Sequence, residues 1–143
     1  MLIANVLQGK GADVHTLPAS ATLQQAAEEL HTRRVGALVV IDGEGALIGV
    51  FSERDLVREV ARRGTVALST EVGAAMTRNV ITAHLNETID HCLGRMTDRR
   101  IRHLPVLEAE RLIGIVSIGD LVKHRIAAAE AESAAMQAYI AAH

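Results

Sequence analysis

The chain has 143 residues, of which 49% are hydrophobic and 22% charged. This composition is typical of one compact globular domain of about 100 to 200 residues rather than of a disordered segment. The formal charge of -2 excludes the strong positive bias of proteins that bind nucleic acid phosphates without sequence preference. Phe51 and Tyr139 are the only aromatic residues, which argues against recognition of nucleic acid by stacking of bases on aromatic rings.

The first half of the chain predicts a lead-in element followed by a β-α-β-β-α unit. Four apolar residues between Leu23 and Leu30 fall at i, i+3, i+4 and i+7, as on one face of a helix, and Ser20 is the predicted N-cap. Two apolar runs on either side of a Gly-containing turn predict a hairpin, and a second helix follows. The predicted elements are the lead-in at 3–7, a strand at 14–16, a helix at 23–30, hairpin strands at 35–41 and 47–52, and the final helix at 55–63.

The same order of elements recurs about 65 residues later, so the chain contains an internal repeat. Val80-Ile81-Thr82 corresponds to Val14-His15-Thr16, and Asn86 is the predicted N-cap of the second copy of the first helix. Because a unit of about 60 residues is marginally stable alone, we expect the two copies to pack into one core with pseudo-twofold symmetry. The predicted segments are repeat 1 with its lead-in helix at 1–65, repeat 2 with its lead-in segment at 66–126, and a C-terminal helical tail at 127–143.

Three further features bear on the class of protein. Cys92 is the only cysteine, and its place on the apolar face of a predicted helix indicates a buried small side chain rather than a disulfide or a zinc ligand. Met136, Tyr139 and Ile140 form an apolar stripe on the tail that would cover the core or meet a second subunit. No apolar run is long enough to span a bilayer and no signal peptide is evident, so we predict a cytoplasmic protein without membrane insertion.

Both repeats place the pattern Ser-x-x-Asp where the last strand meets the final helix, as Ser52 to Asp55 and as Ser117 to Asp120. One interpretation is a capping box that satisfies the first turn of the helix. The other is a ligand site, because a helix N-terminus with free amides, a hydroxyl group and a carboxylate can hold a phosphate and a ribose diol. The residues alone leave both interpretations open.

Two such units in tandem, with Ser-Glu-Arg-Asp at 52–55 and Arg-His-Leu-Pro-Val at 102–106, resemble a pair of cystathionine β-synthase (CBS) domains, also called a Bateman module. The small size and helical tail resemble stand-alone bacterial CBS-pair proteins. The resemblance covers nearly the whole chain and implies an α+β fold of two β-α-β-β-α CBS repeats, packed with pseudo-twofold symmetry, plus a C-terminal helix. It further implies a homodimer that binds AMP, ADP, ATP, NAD or an S-adenosyl compound as a regulatory ligand in clefts between the repeats.

The resemblance also implies roles for individual residues. Asp55 and Asp120 would bind the ribose hydroxyls, and Ser52 and Ser117 would lie beside the ribose or the phosphate. The other implied nucleotide-binding residues are Thr16 and Thr82 at the nucleoside, the backbone of Val14, His15, Val80 and Ile81 at the adenine edge, Gly36, Ala37, Leu104 and Pro105 as apolar walls, Arg54, Arg102 and His103 at the phosphates, and Ile118, which stands where repeat 1 has Glu53.

The two predicted sites differ in charge. Repeat 1 has Gly36-Ala37 where repeat 2 has Arg102-His103, and Arg54 in repeat 1 corresponds to Gly119 in repeat 2. We therefore expect one site to prefer a monophosphate and the other to bind more weakly, differently or not at all.

Other functions are weaker interpretations of the same residues. The seven histidines include no metalloprotease pair, no Gly-x-Ser-x-Gly elbow occurs, and Gly9-Lys10-Gly11 lacks the rest of a phosphate-binding loop. CBS pairs are often attached to inosine monophosphate dehydrogenases, but a catalytic barrel of about 250 residues does not fit here, so we predict no enzyme and no catalytic cofactor or metal.

Three hypotheses stay open from the sequence. They are a sensor that changes conformation when it binds an adenine nucleotide and so acts on an unidentified protein, an interaction scaffold with vestigial sites, and an unrecognised nucleotide-processing enzyme. We favour the sensor, with the scaffold as the alternative.

Overall fold

The computed structural model describes residues 1–11 and 13–143 and has the predicted α+β fold. A 3-10 helix over Gly64–Ser69 directly follows the final helix of the first repeat. The helices are α1 (Ile3–Lys10), α2 (Leu23–Arg33), α3 (Glu53–Arg63), α4 (Val72–Ala75), α5 (Ile89–Arg99) and α6 (Ile118–Ala142), and the strands are β1 (Thr16–Pro18), β2 (Ala37–Ile41), β3 (Leu47–Ser52), β4 (His103–Glu108) and β5 (Arg111–Ser117).

The chain divides into two compact units that are not contiguous in sequence. The first-repeat unit consists of Asp13–Ile81 and Ala109–Ile113, and the second-repeat unit consists of Met1–Ala12, Thr82–Glu108 and Gly114–His143. Each lead-in helix therefore lies in the unit of the other repeat: α1 lies in the second-repeat unit and α4 in the first. The predicted boundaries at residues 65 and 126 divide the chain by sequence position, not by these spatial units, and they stay predictions.

The first-repeat unit contains a three-stranded sheet in which β1 is parallel to β2 and β2 is antiparallel to β3. Leu38 and Val40, two residues apart in β2, share one face of the sheet and belong to the same core cluster as Phe51 of β3. Leu23 and Leu30 of α2 belong to that cluster as well, so the predicted apolar face of the helix packs on the sheet.

The second-repeat unit keeps the order of elements but shortens the first predicted strand to a single bridge. In repeat 1 the amide of Val39 donates to His15 O at 3.0 Å. The equivalent of Val39 in repeat 2 is Pro105, which has no N–H to donate. Ala83 alone bridges to β4, through bonds of 2.9 Å to Pro105 O and 3.0 Å from the amide of Leu107.

The predicted N-caps Ser20 and Asn86 are wrong by two residues. Helices α2 and α5 are capped by Thr22 and Thr88, whose Oγ1 atoms each accept a bond of 3.1 Å from the amide three residues further on. Both threonines have the extended backbone of an N-cap residue and directly precede the first apolar residue of their helix. The pseudo-repeat therefore extends to the caps, although at a different position from the one predicted.

A glycine in the last strand of each repeat lets a lead-in residue approach closely. A Cβ atom at Gly49 of β3 would lie 2.5 Å from Met76 Sδ, and a Cβ atom at Gly114 of β5 would lie 2.9 Å from Leu7 Cδ2. Both distances are too short for real contacts, so each lead-in packs where the strand has no side chain. Two isolated bridges join each lead-in segment to the N-cap residue of a helix in the same unit, Glu71 with Thr22 and Leu2 with Thr88.

The predicted tail is the continuation of the last helix of repeat 2 rather than a separate element. Helix α6 extends without interruption for 25 residues, and its buried residue is Leu121 in the second turn. Met136, Tyr139 and Ile140 are 57%, 64% and 66% exposed, so their stripe does not cover the core of this chain.

Cys92 is buried on α5, as predicted. Burial, with a smaller contribution from the charge of Glu87, raises the pKa of its thiol, which disfavours the reactive thiolate. Within residues 1–11 and 13–143, no helix has the length and apolar character needed to cross a membrane.

We expect Gly49→Ala to lower the free energy of unfolding by about 1 to 3 kcal/mol, because the new methyl group would overlap Met76 Sδ and would lie 3.0 Å from Thr77 O. Urea unfolding measures the change. The matched control is Gly94→Ala on α5, where the added methyl group meets no atom within 4 Å. That variant should be more stable by about 0.5 to 1 kcal/mol, because alanine favours a helix interior. A Gly49→Ala protein as stable as the unaltered one would contradict the close approach.

Candidate functional site

The final helix of repeat 2 begins with the predicted Ser-x-x-Asp pattern in the geometry of a capping box. Ser117 Oγ accepts from the amide of Asp120 at 3.1 Å, and the amide of Ser117 donates to Asp120 Oδ2 at 2.9 Å. The carboxylate thus lies beside the first turn of α6, at the positive end of the helix dipole. Its side chain is still 26% exposed, so solvent or a ligand can reach it.

A lysine from α1 is bound to the same carboxylate. Lys10 Nζ lies 2.6 Å from Asp120 Oδ2 and donates a second bond of 2.7 Å to Ile115 O. Burial pushes the pKa of Asp120 upward, but the hydrogen bonds from Lys10 and Ser117 and the charge of Lys10 outweigh burial and hold that pKa below its ordinary value. Asp120 is therefore ionised at neutral pH and carries a counter-ion.

His103, the first residue of β4, is half-buried and lies within electrostatic range of this ion pair. Burial lowers the pKa of His103, and the positive charges of Lys10 and Arg102 lower it further, while the charge of Asp120 acts in the opposite direction. The net pKa lies below the ordinary value near 6.5. His103 is therefore neutral at pH 7, and the permanent positive charges near it are those of Lys10 and Arg102.

The corresponding junction of repeat 1 has the same cap but a different counter-ion. Ser52 donates to Asp55 Oδ2 through its amide at 2.9 Å and its hydroxyl group at 3.1 Å. Arg58, one turn later on α3, lies 3.0 Å from Asp55 Oδ1 and also donates to Ala75 O at 3.2 Å. Arg58 thus joins Asp55 to α4. The carboxylate of Glu59, which is also buried, lies 3.7 Å from the same guanidinium.

The two aspartates differ most in access. The side chain of Asp55 is 7% exposed, against 26% for Asp120. Asp55 is held by a guanidinium on its own helix, whereas the partner of Asp120 comes from 110 residues away in sequence. Besides the difference in charge predicted from the sequence, the two junctions therefore differ in the burial of the aspartate and in its counter-ion.

The structure brings several of the other predicted residues to the same helix ends. The amide of Glu53 donates to Gly36 O at 3.0 Å, and the amide of Ile118 donates to Arg102 O at 2.8 Å. These bonds connect the start of β2 to the N-terminus of α3 and the start of β4 to the N-terminus of α6. Ala37 pairs with Ser52 across β2 and β3.

The remaining predicted residues line the strands behind these junctions. Thr16 pairs with β2, and Leu104 and Pro105 are buried in β4. Thr82 O accepts a hydrogen bond from Arg95, whose guanidinium also binds Glu87, so an ion pair fixes the backbone at Thr82. The other predicted residues lie outside regular structure before β1 (Val14, His15), in the segment before Ala83 (Val80, Ile81) or on the exposed first turn of α3 (Arg54).

Sequence reasoning missed the two counter-ions of the aspartates. The sequence patterns assign Lys10 only to a possible phosphate loop and assign no role to Arg58. Arg58 could have been found, because Asp55 and Arg58 lie three residues apart on one helix and face each other. Lys10 had no such local signal, because its contact depends on the long-range docking of α1. Among the described residues, no group of three or more His, Cys, Asp or Glu side chains could hold a metal ion.

We expect the unfolding free energy to fall on acidification from about pH 7.5 to about pH 5.5 because of His103. Its folded pKa is lowered, so its contribution is complete above the unfolded value near 6.5 and is lost as pH falls toward the folded value. The slope for one group is at most about 1.4 kcal/mol per pH unit. Urea unfolding across this range should show a shallower slope for His103→Gln, and the same substitution at the exposed His31 serves as control. Equal slopes for His103→Gln and the unaltered protein would contradict the prediction.

Comparison with known proteins shows which family the chain resembles. A family model described as CBS domain matches residues 11–62 and 71–127. The crystal structure of a CBS-domain protein from Agrobacterium tumefaciens is 44% identical in sequence, with a TM-score of 0.85 over 87% of this chain and 92% of that chain.

Two similar solved structures contain adenosyl ligands. A CBS domain protein from Pyrobaculum aerophilum in complex with AMP is 28% identical, with a TM-score of 0.75 over 84% of this chain and 89% of that chain. A CBS domain pair in complex with 5′-methylthioadenosine and S-adenosyl-L-methionine is 27% identical, with a TM-score of 0.77 over 86% of this chain and 94% of that chain. Because the family model matches two segments that together make up most of the sequence, the chain belongs to the CBS domain family and carries a tandem pair of these domains.

Proposed function

We propose that the protein is a regulatory module that binds an adenine nucleotide or a related adenosyl ligand at the N-terminal end of α6. In this proposal Asp120 receives the ribose hydroxyls and Ser117 lies beside the ribose or the phosphate. The observation that carries it is the Asp120 carboxylate, which is ionised, partly exposed and set at the first turn of a helix. A carboxylate accepts both hydroxyls of a diol, and a helix N-terminus favours an anion.

The complexes of related CBS proteins with AMP and with S-adenosyl compounds support an adenosyl ligand for this chain. The contacts assigned above to Thr82 and to the apolar Leu104 and Pro105 form part of the proposal. These three residues belong to the same unit as Asp120, and the backbone of Thr82 is held in place by Arg95.

In repeat 1 we propose a weaker or structural role for the corresponding pair. Asp55 is almost fully buried, and a ligand that used its carboxylate would have to displace Arg58 from both Asp55 and Ala75. Removing one partner of a buried ion pair leaves an uncompensated charge, which is costly. We therefore propose that a monophosphate prefers the Asp120 site.

Regulation in this proposal is a shift between conformations rather than catalysis. A ligand moves such an equilibrium only by the difference in its affinity for the two states, and a protein that recognises one state then responds to the ligand. The exposed stripe on α6 is the surface on which we propose that two copies form a homodimer. The cytoplasmic location stays a prediction from the sequence.

A second candidate is an interaction scaffold without a ligand, and one observation favours it. Both Ser-x-x-Asp pairs are satisfied within the chain as capping boxes, so neither needs a ligand to complete its hydrogen bonds. The two candidates differ in their response to nucleotide. A ligand present at 100 times its dissociation constant should add about 2.7 kcal/mol to the free energy of unfolding, whereas a scaffold should show no change.

We expect Asp120→Asn to weaken AMP binding at least about tenfold in a calorimetric titration. Asparagine keeps the size of the side chain and one acceptor for the helix cap, but it loses the charge that strengthens hydrogen bonds from the ribose, which is worth about 1.5 to 3 kcal/mol. The matched control is Asp90→Asn, because Asp90 forms an ion pair with Arg125 and its side chain is 64% exposed. It should bind AMP like the unaltered protein.

Equal AMP affinities for Asp120→Asn and Asp90→Asn would exclude Asp120 from the site. Titration of the unaltered protein with AMP, ADP, ATP, NAD and S-adenosyl-L-methionine would identify the ligand, and failure of the whole panel to bind or to stabilise the protein would leave the scaffold as the better candidate.

A further inference from the structure

The carboxylate that we assign to the ribose is already bound to an ammonium group. Lys10 Nζ is 2.6 Å from Asp120 Oδ2, and the side chains of Lys10 and Asp120 are 30% and 26% exposed. The pair therefore lies at the surface of the proposed site rather than beneath it. A ligand whose ribose hydroxyls approach Asp120 therefore comes close to the ammonium group of Lys10.

Helix α1 fixes the position of this lysine. Ile3 and Val6 are fully buried, the amide of Ile3 donates to Glu87 O at 2.9 Å, and Leu7 packs against Gly114. Lys10 is the last residue of the helix, where a positive charge interacts favourably with the helix dipole. The packing of α1 therefore holds the Lys10 side chain in the second-repeat unit.

We propose that Lys10 is a specificity-determining residue of the Asp120 site, which it makes selective for adenosyl ligands that carry phosphate over neutral or cationic adenosyl compounds. This inference rests on the proposed function. It adds the chemical class of the ligand and assigns a contact to a residue that neither the repeat pattern nor the family motif includes.

The hydrogen bonds of Lys10 supply the first argument. An ammonium group has three N–H donors and no acceptor, and two of these donors reach Ile115 O and Asp120 Oδ2. The third can be given to a ligand oxygen beside Asp120. A ribose that takes part of the carboxylate weakens the bond from Lys10, and this cost is common to every adenosyl ligand. A phosphate offsets the cost by accepting a charge-assisted bond from the ammonium, whereas a methylthio or sulfonium group does not.

The charge around the carboxylate supplies the second argument. Lys10 and Arg102 both lower the pKa of His103 and Asp120 raises it, so more positive than negative charge acts on the His103 side chain. An anionic ligand neutralises that excess, while the sulfonium of S-adenosyl-L-methionine adds to it.

The other repeat has no equivalent of this lysine. The pairing of Leu7 with Gly114 and of Met76 with Gly49 aligns the two lead-ins, and in this alignment Lys10 corresponds to Asn79. The carbonyl of Val50, the counterpart of Ile115, accepts from the backbone amide of Thr77 at 2.9 Å instead. The selectivity therefore belongs to the Asp120 site alone.

The test compares AMP with adenosine, which differ only by the phosphate, in calorimetric titrations of the full chain. Lys10→Met keeps the length of an unbranched side chain and removes the charge. We expect this variant to bind AMP about tenfold more weakly and adenosine as tightly as before or more tightly, so that the ratio of the two affinities falls at least tenfold. Lys10→Arg keeps the charge and should retain most of the ratio.

The matched control is Lys123→Met, because Lys123 is the other lysine of the chain and lies on the exposed side of α6. It should leave the ratio unchanged. An affinity ratio that survives in Lys10→Met overturns the inference, and if Asp120→Asn still weakens both ligands, the proposed function stands without it. If neither AMP nor adenosine binds the unaltered protein, the inference is overturned, and the proposed function is then decided by the rest of the ligand panel. Should Lys10→Met fail to fold, Lys10→Gln takes its place, with the same expected fall in the ratio.

Discussion

Close packing of a lead-in residue against a glycine in the last strand of the opposite repeat is the contact on which the arrangement of each unit depends. Gly49 receives Met76 and Gly114 receives Leu7, at distances that leave no space for a side chain. Since interiors are packed to crystal density, a methyl group at either glycine forces the lead-in side chain that packs on it to move. α4 belongs to the first-repeat unit and α1 to the second, where Lys10 at the end of α1 contacts Asp120.

The two Ser-x-x-Asp junctions differ because a lead-in helix supplies the counter-ion at only one of them. The two Ser-x-x-Asp junctions share a capping geometry, but Asp55 is neutralised from within its own helix and Asp120 from a distant one. Because Arg58 and Asp55 lie on the same helix, movement of another element does not change the distance between their positions, and Asp55 stays buried beside Arg58. A counter-ion from a separate helix connects the carboxylate to the position of that helix, so a ligand that competes for Asp120 also acts on the docking of α1.

Most of the fold could be predicted because its information is local and occurs twice. The spacing of apolar residues from Leu23 to Leu30 defined α2, and its copy at the same offset defined α5. The first strand of repeat 2 was predicted too long, since a single proline removed one donor from the ladder. The caps were misplaced by two residues, because serine, threonine and asparagine occur together before both helices and all suit the N-cap position.

The candidate site was predictable only to the extent that it is local. The bonds from Ser52 to Asp55 and from Ser117 to Asp120 follow from a spacing of three residues at a helix start. The bond from Lys10 does not, because no periodicity relates α1 to α6. It exists because two glycines admit the lead-ins, and the sequence contains 11 glycines with no local mark to single these out.

The exchange of lead-ins also sets the order in which the protein can assemble during translation. Residues 13–81 supply most of the first-repeat unit as one continuous stretch, so its core can form while the rest of the chain is still on the ribosome. The second-repeat unit has no such freedom: α1 is synthesised before the other segments of this unit, and Asp120, to which its Lys10 binds, follows 110 residues later. Lys10 can therefore pair with Asp120 only after the start of α6 has been synthesised, so the proposed ligand site is completed late.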